Sequence, residues 1–236
     1  GYAATINSCG AMWAVKLPAY VEGNNNGYGY ACAAFGAAAA SSDQLTVRRA
    51  STQSICDASG GPPGCTGTLA ASVGQIKVQT SRVQGSLFGN GVPAAGYGLF
   101  PLSETRAVVV NGYYVSRRSD QDLVTPSLRR KQLPANAAQA IVDQEIVPGV
   151  EDLQVEFGVD QNNDQNADFF VRPGIAIPAG RQIVAVRVWL LVRGEDTEAN
   201  FTDGRTYTYA DRVYTPADNF RRVLVTKTIA LRNTRR

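Results

Sequence analysis

The stretch Val147-Pro148-Gly149-Val150-Glu151-Asp152-Leu153-Gln154-Val155-Glu156-Phe157-Gly158-Val159-Asp160 decides the fold class. Within it Leu153, Val155, Phe157 and Val159 alternate with Gln154, Glu156, Gly158 and Asp160. That period of two belongs to an antiparallel strand with one face on a core and the other in water. Working outward, Gln182–Arg193 is apolar on both sides, the pattern of a central strand buried on both faces, expected to lie beneath a helix missing from the sequence. Residues 222–231 read as a terminal strand with Val223, Val225, Ile229 and Leu231 inward. Upstream, 44–50, 75–83 and 106–117 carry strand patterns, the last interrupted by Asn111-Gly112 as a hairpin turn. Asp203-Gly204 reads as another hairpin turn. Helix is confined to 2–9, as the tail of a helix whose body lies upstream, and to a short piece at 134–144. Neither a repeat nor a linker interrupts the chain, so 1–236 is expected to form one domain. Its parts are a loop-rich stretch over 1–70 and a C-terminal sheet over 147–236.

Composition narrows the class. The chain is 44% hydrophobic and 18% charged, ordinary for a globular protein with a real core. No run approaches the ~18–20 apolar residues that a membrane-spanning helix needs. No cleavable signal peptide is present, and the start at Gly1-Tyr2 reads as a trimmed chain. A net charge of +3 is too small for a dedicated nucleic-acid binder, so nucleic acid is not expected as a partner. The basic doublets Arg48-Arg49, Arg117-Arg118, Arg129-Arg130-Lys131 and Arg221-Arg222 read as solvated strand edges, and Arg235-Arg236 as a solvated tail.

Cys9, Cys32, Cys56 and Cys65 all fall in the first third, an even number that implies two disulfides with three possible pairings. The segment between Cys56 and Cys65 is almost pure turn chemistry, which favours closing that short loop and pairing Cys9 with Cys32. Residues 21–40, rich in Gly, Asn and Ala, would then be a surface excursion tied at Cys32. With no histidine and no Cys-x-x-Cys, zinc is a poor reading of the thiols. Two disulfides imply the periplasm or the cell exterior.

One constellation could carry chemistry. Asp160, Asn162, Asp164, Asn166 and Asp168 place an oxygen-bearing side chain at every second position. Calcium takes six to eight oxygens, and a loop can curl such a series inward. Against the EF-hand pattern, however, Gln165 stands where glycine is wanted and Val171 where a bidentate glutamate is wanted. The alternative is a polar turn between two strands, since Asn and Asp tolerate turn geometry. Any calcium affinity would be modest.

Without histidine there is no Ser-His-Asp or Cys-His arrangement, and no phosphate-binding or nucleophile-elbow motif occurs, so no enzymatic activity is expected.

Several stretches, in order, resemble a known family. Val147 to Val155 is similar to the V-x-G-V-E-D-L-Q-V segment of PilW-like minor pilins of type IV pili. Ile183-Val184-Ala185-Val186-Arg187-Val188 resembles the family's V-x-A-V-R-V strand, and Arg221-Arg222-Val223 through Arg232-Asn233 its closing strand. Fainter echoes lie at Leu17-Pro18-Ala19-Tyr20, Ser42-Asp43-Gln44-Leu45 and Tyr113-Tyr114-Val115. The resemblance implies an α+β, mostly β fold: a pilin-like head with antiparallel sheets and a largely truncated N-terminal helix. It implies a structural subunit that helps prime pilus assembly and sits in a tip complex with other minor pilins and a PilY-type adhesin. Its membrane contact would be through the missing helix alone. The expected location is the inner membrane of a Gram-negative bacterium, facing the periplasm, and then the pilus tip. The alternatives are a type II secretion pseudopilin and a secreted adhesin or carbohydrate-binding β domain, the latter using exposed Tyr28, Tyr30 and Tyr97.

Overall fold

The computed structural model describes residues 6–56, 63–67, 69, 71, 74–80, 85–89, 103–134 and 140–231. Among them the chain forms β1 (Val21–Asn24), β2 (Gln44–Ile55), β3 (Lys77–Thr80), β4 (Gly85–Phe88), β5 (Glu104–Ser116), β6 (Ser127–Gln132) and β7 (Val142–Pro148). These seven make one sheet. Then come β8 (Val150–Asp160), β9 (Phe169–Val171), β10 (Gln182–Arg193) and β13 (Arg222–Ala230), which form a second sheet in the order β13-β10-β8-β9. Between β10 and β13 a small hairpin is built from β11 (Tyr207–Tyr209) and β12 (Arg212–Tyr214). The strands pair antiparallel throughout the described residues, as the alternating patterns imply.

Four layers result. Cys9, Trp13, Ala14 and Val15 cover one face of the first sheet, against Ile76, Val78, Val108 and Val110. The other face, through Val21, Leu45 and Val115, packs on Val150, Leu153, Val155, Phe157 and Val186 of the second sheet. The far side of that sheet is covered at Leu191 by Tyr207 and Tyr209 of the small hairpin. β10 is therefore a central strand, with a tyrosine hairpin over its outer face.

Several sequence expectations are corrected here. Asn111-Gly112 is no turn: β5 runs straight through it because the Tyr30 ring lies on Gly112, where a Cβ would meet the phenol carbon Cζ at 2.7 Å. Tyr30 itself is 7% exposed, donating from its hydroxyl to Leu45 O at 3.1 Å, and Tyr28 packs edge-on against it. These rings pack against the core rather than forming a ligand platform, while most of 21–40 lies at the surface, tied at Cys32 by the bond to Cys9. Tyr97 lies outside the described residues. Of the short helix over 134–144, residues 135–139 lie outside the described residues, and Val142–Gln144 belong to β7. Of the N-terminal helix tail, only Ile6 and Asn7 are described as helical; residues 1–5 lie outside. Strand β3 covers Lys77–Thr80 of the expected 75–83, with 81–84 outside the described residues.

Strand β8 is not wet on one face. Asp152 and Gln154 on its outer side are buried beneath the hairpin. On β13, conversely, Val223, Val225 and Ile229 are 63%, 48% and 49% exposed. The second sheet overhangs the first at this edge, so the strand's inner side has no partner layer there; Leu231 alone of the four packs on the core. Nor are the basic doublets uniformly solvated. Arg48, Arg129, Lys131 and Arg222 are each buried. Arg129 stacks 3.8 Å over Phe35 and pairs with Asp143 and Asp120, which satisfies a charge that burial would otherwise penalise heavily.

Candidate functional site

The segment 147–155 is the corner where the chain passes from one sheet to the other. β7 ends at Pro148 in the first sheet and β8 begins at Val150 in the second, with only Gly149 between. Gly149 has φ +79°, donates its N–H to Pro126 O at 2.7 Å and accepts from Arg193 N at 2.8 Å. A Cβ there would lie 2.6 Å from Arg193 O, so the corner requires glycine on two counts.

Ser42 and Asp43 lock the second strand of this corner to the first sheet. The Ser42 hydroxyl accepts from Leu153 N at 3.0 Å, and Asp43 N donates to Leu153 O at 2.7 Å. The Asp43 carboxylate accepts from Val155 N at 2.9 Å and from Asn26 N at 2.7 Å. Burial nonetheless pushes the Asp43 carboxyl up to about 6, because those amide donors only partly replace lost water.

Glu151 and Asp152 diverge from the corner. Glu151 accepts two bonds from the fully buried Arg222, at 2.6 and 2.9 Å. Arg222 also bonds Asp218 at 2.6 and 2.7 Å and lies 3.7 Å from buried Asp203. Arg222 hydrogen bonding holds the Asp218 carboxyl below its ordinary range; Arg205, 2.9 Å away, does the same for Asp203. Asp203 is thus an anchor for Arg205 and the Tyr207 hydroxyl rather than a hairpin turn; the hairpin turns at Ala210-Asp211. Asp152 accepts from the Tyr209 hydroxyl at 2.6 Å, which ties the small hairpin to the outer face of β8. Burial raises the Asp152 carboxyl above its usual range, and Tyr209 partly offsets this.

Beside these groups opens a cavity of about 430 Å³, lined among others by Arg117, Glu151, Asp152, Arg193, Arg212 and Tyr214. Arg193 donates to Val124 O at 2.8 Å and stacks on Phe220. Arg212 lies 3.4 Å from Asp152 through Nε and also meets the Tyr209 side chain. In the sequence Arg117 stood out only as part of a basic doublet, and no pattern joined it to Arg193 and Arg212, since the three come from distant segments.

The Asp/Asn series lies between β8 and β9. Asp160 is 3% exposed, while Asn162, Asp164, Asn166 and Asp168 are on the surface. Asp160 accepts from the main-chain N–H of Asn162, Asn163 and Gln165, at 3.1, 2.6 and 2.8 Å. Asp164 accepts from Asn166 N and Asp168 from Gln161 N, at 2.7 and 2.6 Å. Asn163 and Gln165 take left-handed φ of 65° and 71°. The oxygens therefore cap the loop's own amides. Among the described residues no group of three or more His, Cys, Asp or Glu side chains gathers as a metal site. The cysteines pair as Cys9–Cys32 and Cys56–Cys65, with S–S distances of 1.96 and 2.06 Å.

Fold and site together define a class: a disulfide-tied, two-sheet β domain whose most distinctive motif residues are engaged in ties inside the fold. The family model for type IV pilus-assembly protein W matches residues 112–233, just over half of the chain. The chain belongs to that family. The matched region runs from Gly112 in β5 through the corner at Gly149 and almost to the end of the chain. No curated protein and no solved structure matches the chain. Membership in this family ties the chain to type IV pilus assembly and to the cell envelope of Gram-negative bacteria. No helix among the described residues is long and apolar enough to cross a membrane.

Proposed function

We propose that the chain is the head of a minor pilin, a structural subunit without catalytic activity that helps prime type IV pilus assembly. In this proposal it sits in a tip complex with other minor pilins and a PilY-type adhesin. An N-terminal helix preceding the head would hold it in the inner membrane, facing the periplasm, before assembly carries it to the pilus tip. One observation carries the reading: the residues of the family-like motifs are all engaged inside the fold, with Ser42, Asp43 and Gly149 joining sheet to sheet, Asp152 joining sheet to hairpin, and Glu151 and Arg222 tying two strands of the second sheet together. Residues kept for chemistry present unpaired groups in a cleft, whereas these are satisfied inside the fold. The two disulfides suit an oxidising compartment.

The test is mass spectrometry of the full-length protein recovered from sheared pili, with co-purification of sister minor pilins. A methylated N-terminal residue heading an apolar segment of about 20 residues is expected, with the sister pilins present. An N-terminus made by ordinary signal peptidase, with no such segment, overturns the proposal.

A further inference from the structure

The cavity beside the corner holds more positive charge than the fold uses. Three guanidinium groups line it, from Arg117 just beyond β5, Arg193 at the end of β10 and Arg212 in β12. Only two carboxylates face them, and both are occupied. Glu151 is held by Arg222 and lies 3.6 Å from Arg193, and Asp152 is held by Tyr209 and Gln154 and lies 3.4 Å from Arg212, which leaves Arg117 without a carboxylate. Arg117 is exposed and makes no ion pair or side-chain hydrogen bond among the described residues. Arg212 lies 3.4 Å from Asp152 through Nε, also meets the Tyr209 side chain, and keeps 27% of its own side chain open. Two forked donors in one recess suit a carboxylate, which a guanidinium grips through two parallel bonds.

The rim is apolar. Val124 lines the cavity and is 74% exposed, and its neighbour Leu123 is 73% exposed. Their loop is held in place from below by Asp122, which accepts from Val124 N and the Thr125 hydroxyl at 3.1 and 2.7 Å. Tyr214 adds apolar surface inside. A free small anion would use the arginines and leave this surface wet; a peptide with acidic and apolar side chains would use both.

We infer that this recess is a docking site for an acidic, partly apolar segment of a partner protein, with a carboxylate held between Arg117 and Arg212. That the partner is a pilus component rests on the proposed function; the chemistry of the site does not.

The test uses the whole chain and a fluorescein-labelled hexapeptide, Leu-Glu-Phe-Glu-Leu-Glu, read by fluorescence anisotropy against the same peptide with Gln for Glu. The acidic peptide binds, and its amide counterpart binds at least about tenfold more weakly, the loss expected from one charge-assisted pair. Arg117→Ala and Arg212→Ala each weaken the acidic peptide by a similar factor, while Arg49→Ala, on an exposed arginine of β2 far along the chain, changes nothing. Arg117 supports no other group, so that variant should melt with the wild type and keep the test free of folding effects. Glutarate at millimolar concentration should displace the peptide only weakly. The inference is overturned if neither peptide binds, if both bind equally, if Arg49→Ala matches Arg117→Ala, or if glutarate competes as well as peptide. None of those results touches the pilin reading, which stands or falls on the N-terminal mass and the sister pilins.

Discussion

Replacing Arg222 by Met removes the cation at the centre of the corner while keeping much of its volume. The side chain is fully buried, and it serves Glu151 and Asp218 through four short bonds, with Asp203 3.7 Å away. Breaking one side of a buried ion pair costs about 3–5 kcal/mol, mostly because the partners are left charged and poorly solvated. Two features argue for the lower end. Asp218 is 39% exposed and can recover water, and Arg193 and Arg205 stay 3.6 and 2.9 Å from Glu151 and Asp203. About 3 kcal/mol in a chain of this size lowers the melting temperature by roughly 6–12 °C. The loss should depend on pH with a definite sign. In the wild type Arg222 depresses the Asp218 carboxyl, so its stabilisation is present above the ordinary carboxylate range and is lost as pH falls through the depressed value. The variant lacks that contribution, so the gap between the two proteins narrows toward about pH 4, where carboxylates begin to protonate. Melting followed by circular dichroism across that range is the assay, with Glu151→Gln and the double variant completing a cycle. The double variant should lose less than the sum of the singles. A loss under about 1 kcal/mol, or a gap that stays constant with pH, would refute the idea that this ion cluster holds the corner together.

Gly112→Ala should cost about 1–3 kcal/mol by forcing the Tyr30 ring off β5; Tyr30→Phe in the same chain should recover part of it, and strictly additive losses in urea melts would contradict the contact. The Asp43 carboxyl should titrate near 6 in carbon-detected NMR. Its folded value lies above the unfolded one, so its stabilising contribution is complete below the ordinary range and disappears as pH rises through about 6; a midpoint under about 4.5 would show that the Asn26 and Val155 amides outweigh burial. Calcium at millimolar concentration should leave the melting temperature where a chelator puts it, whereas a rise growing with the logarithm of concentration would mean that the Asp160–Asp168 loop rearranges to bind the ion.

The strand alternation of 153–159 and the two-sided apolar pattern of Gln182–Arg193 were legible because local periodicity records which side chains meet a core. The identity of the covering layer was not. The hairpin that buries Asp152 and Gln154 lies more than fifty residues away, at Tyr207–Tyr214, and carries no pattern that points back to β8. Asn111-Gly112 looks locally like a turn; the glycine serves Tyr30, a contact spanning some eighty residues. The reverse error occurred at β13, where apolar alternation marked an inner face correctly, but the overhang of one sheet past the other left Val223, Val225 and Ile229 in solvent. Motif-like residues at 147–155 stood out in the sequence, yet the reason for them, a change of sheet across one glycine, required the topology.

The Cys9–Cys32 bond also sets how the domain would bear load. A pull entering the chain ahead of Cys9 meets a covalent shortcut 23 residues further on. Tension then bypasses Trp13, β1 and Tyr30 and passes from Cys32 toward β2, which lies against the long central β5. Unspooled, the bypassed segment would add about 80 Å of slack at ~3.5 Å per residue. With the bond intact that length cannot be released, so the aromatic layer over the first sheet is sheltered from the force. With it reduced, the same layer would be the first to peel.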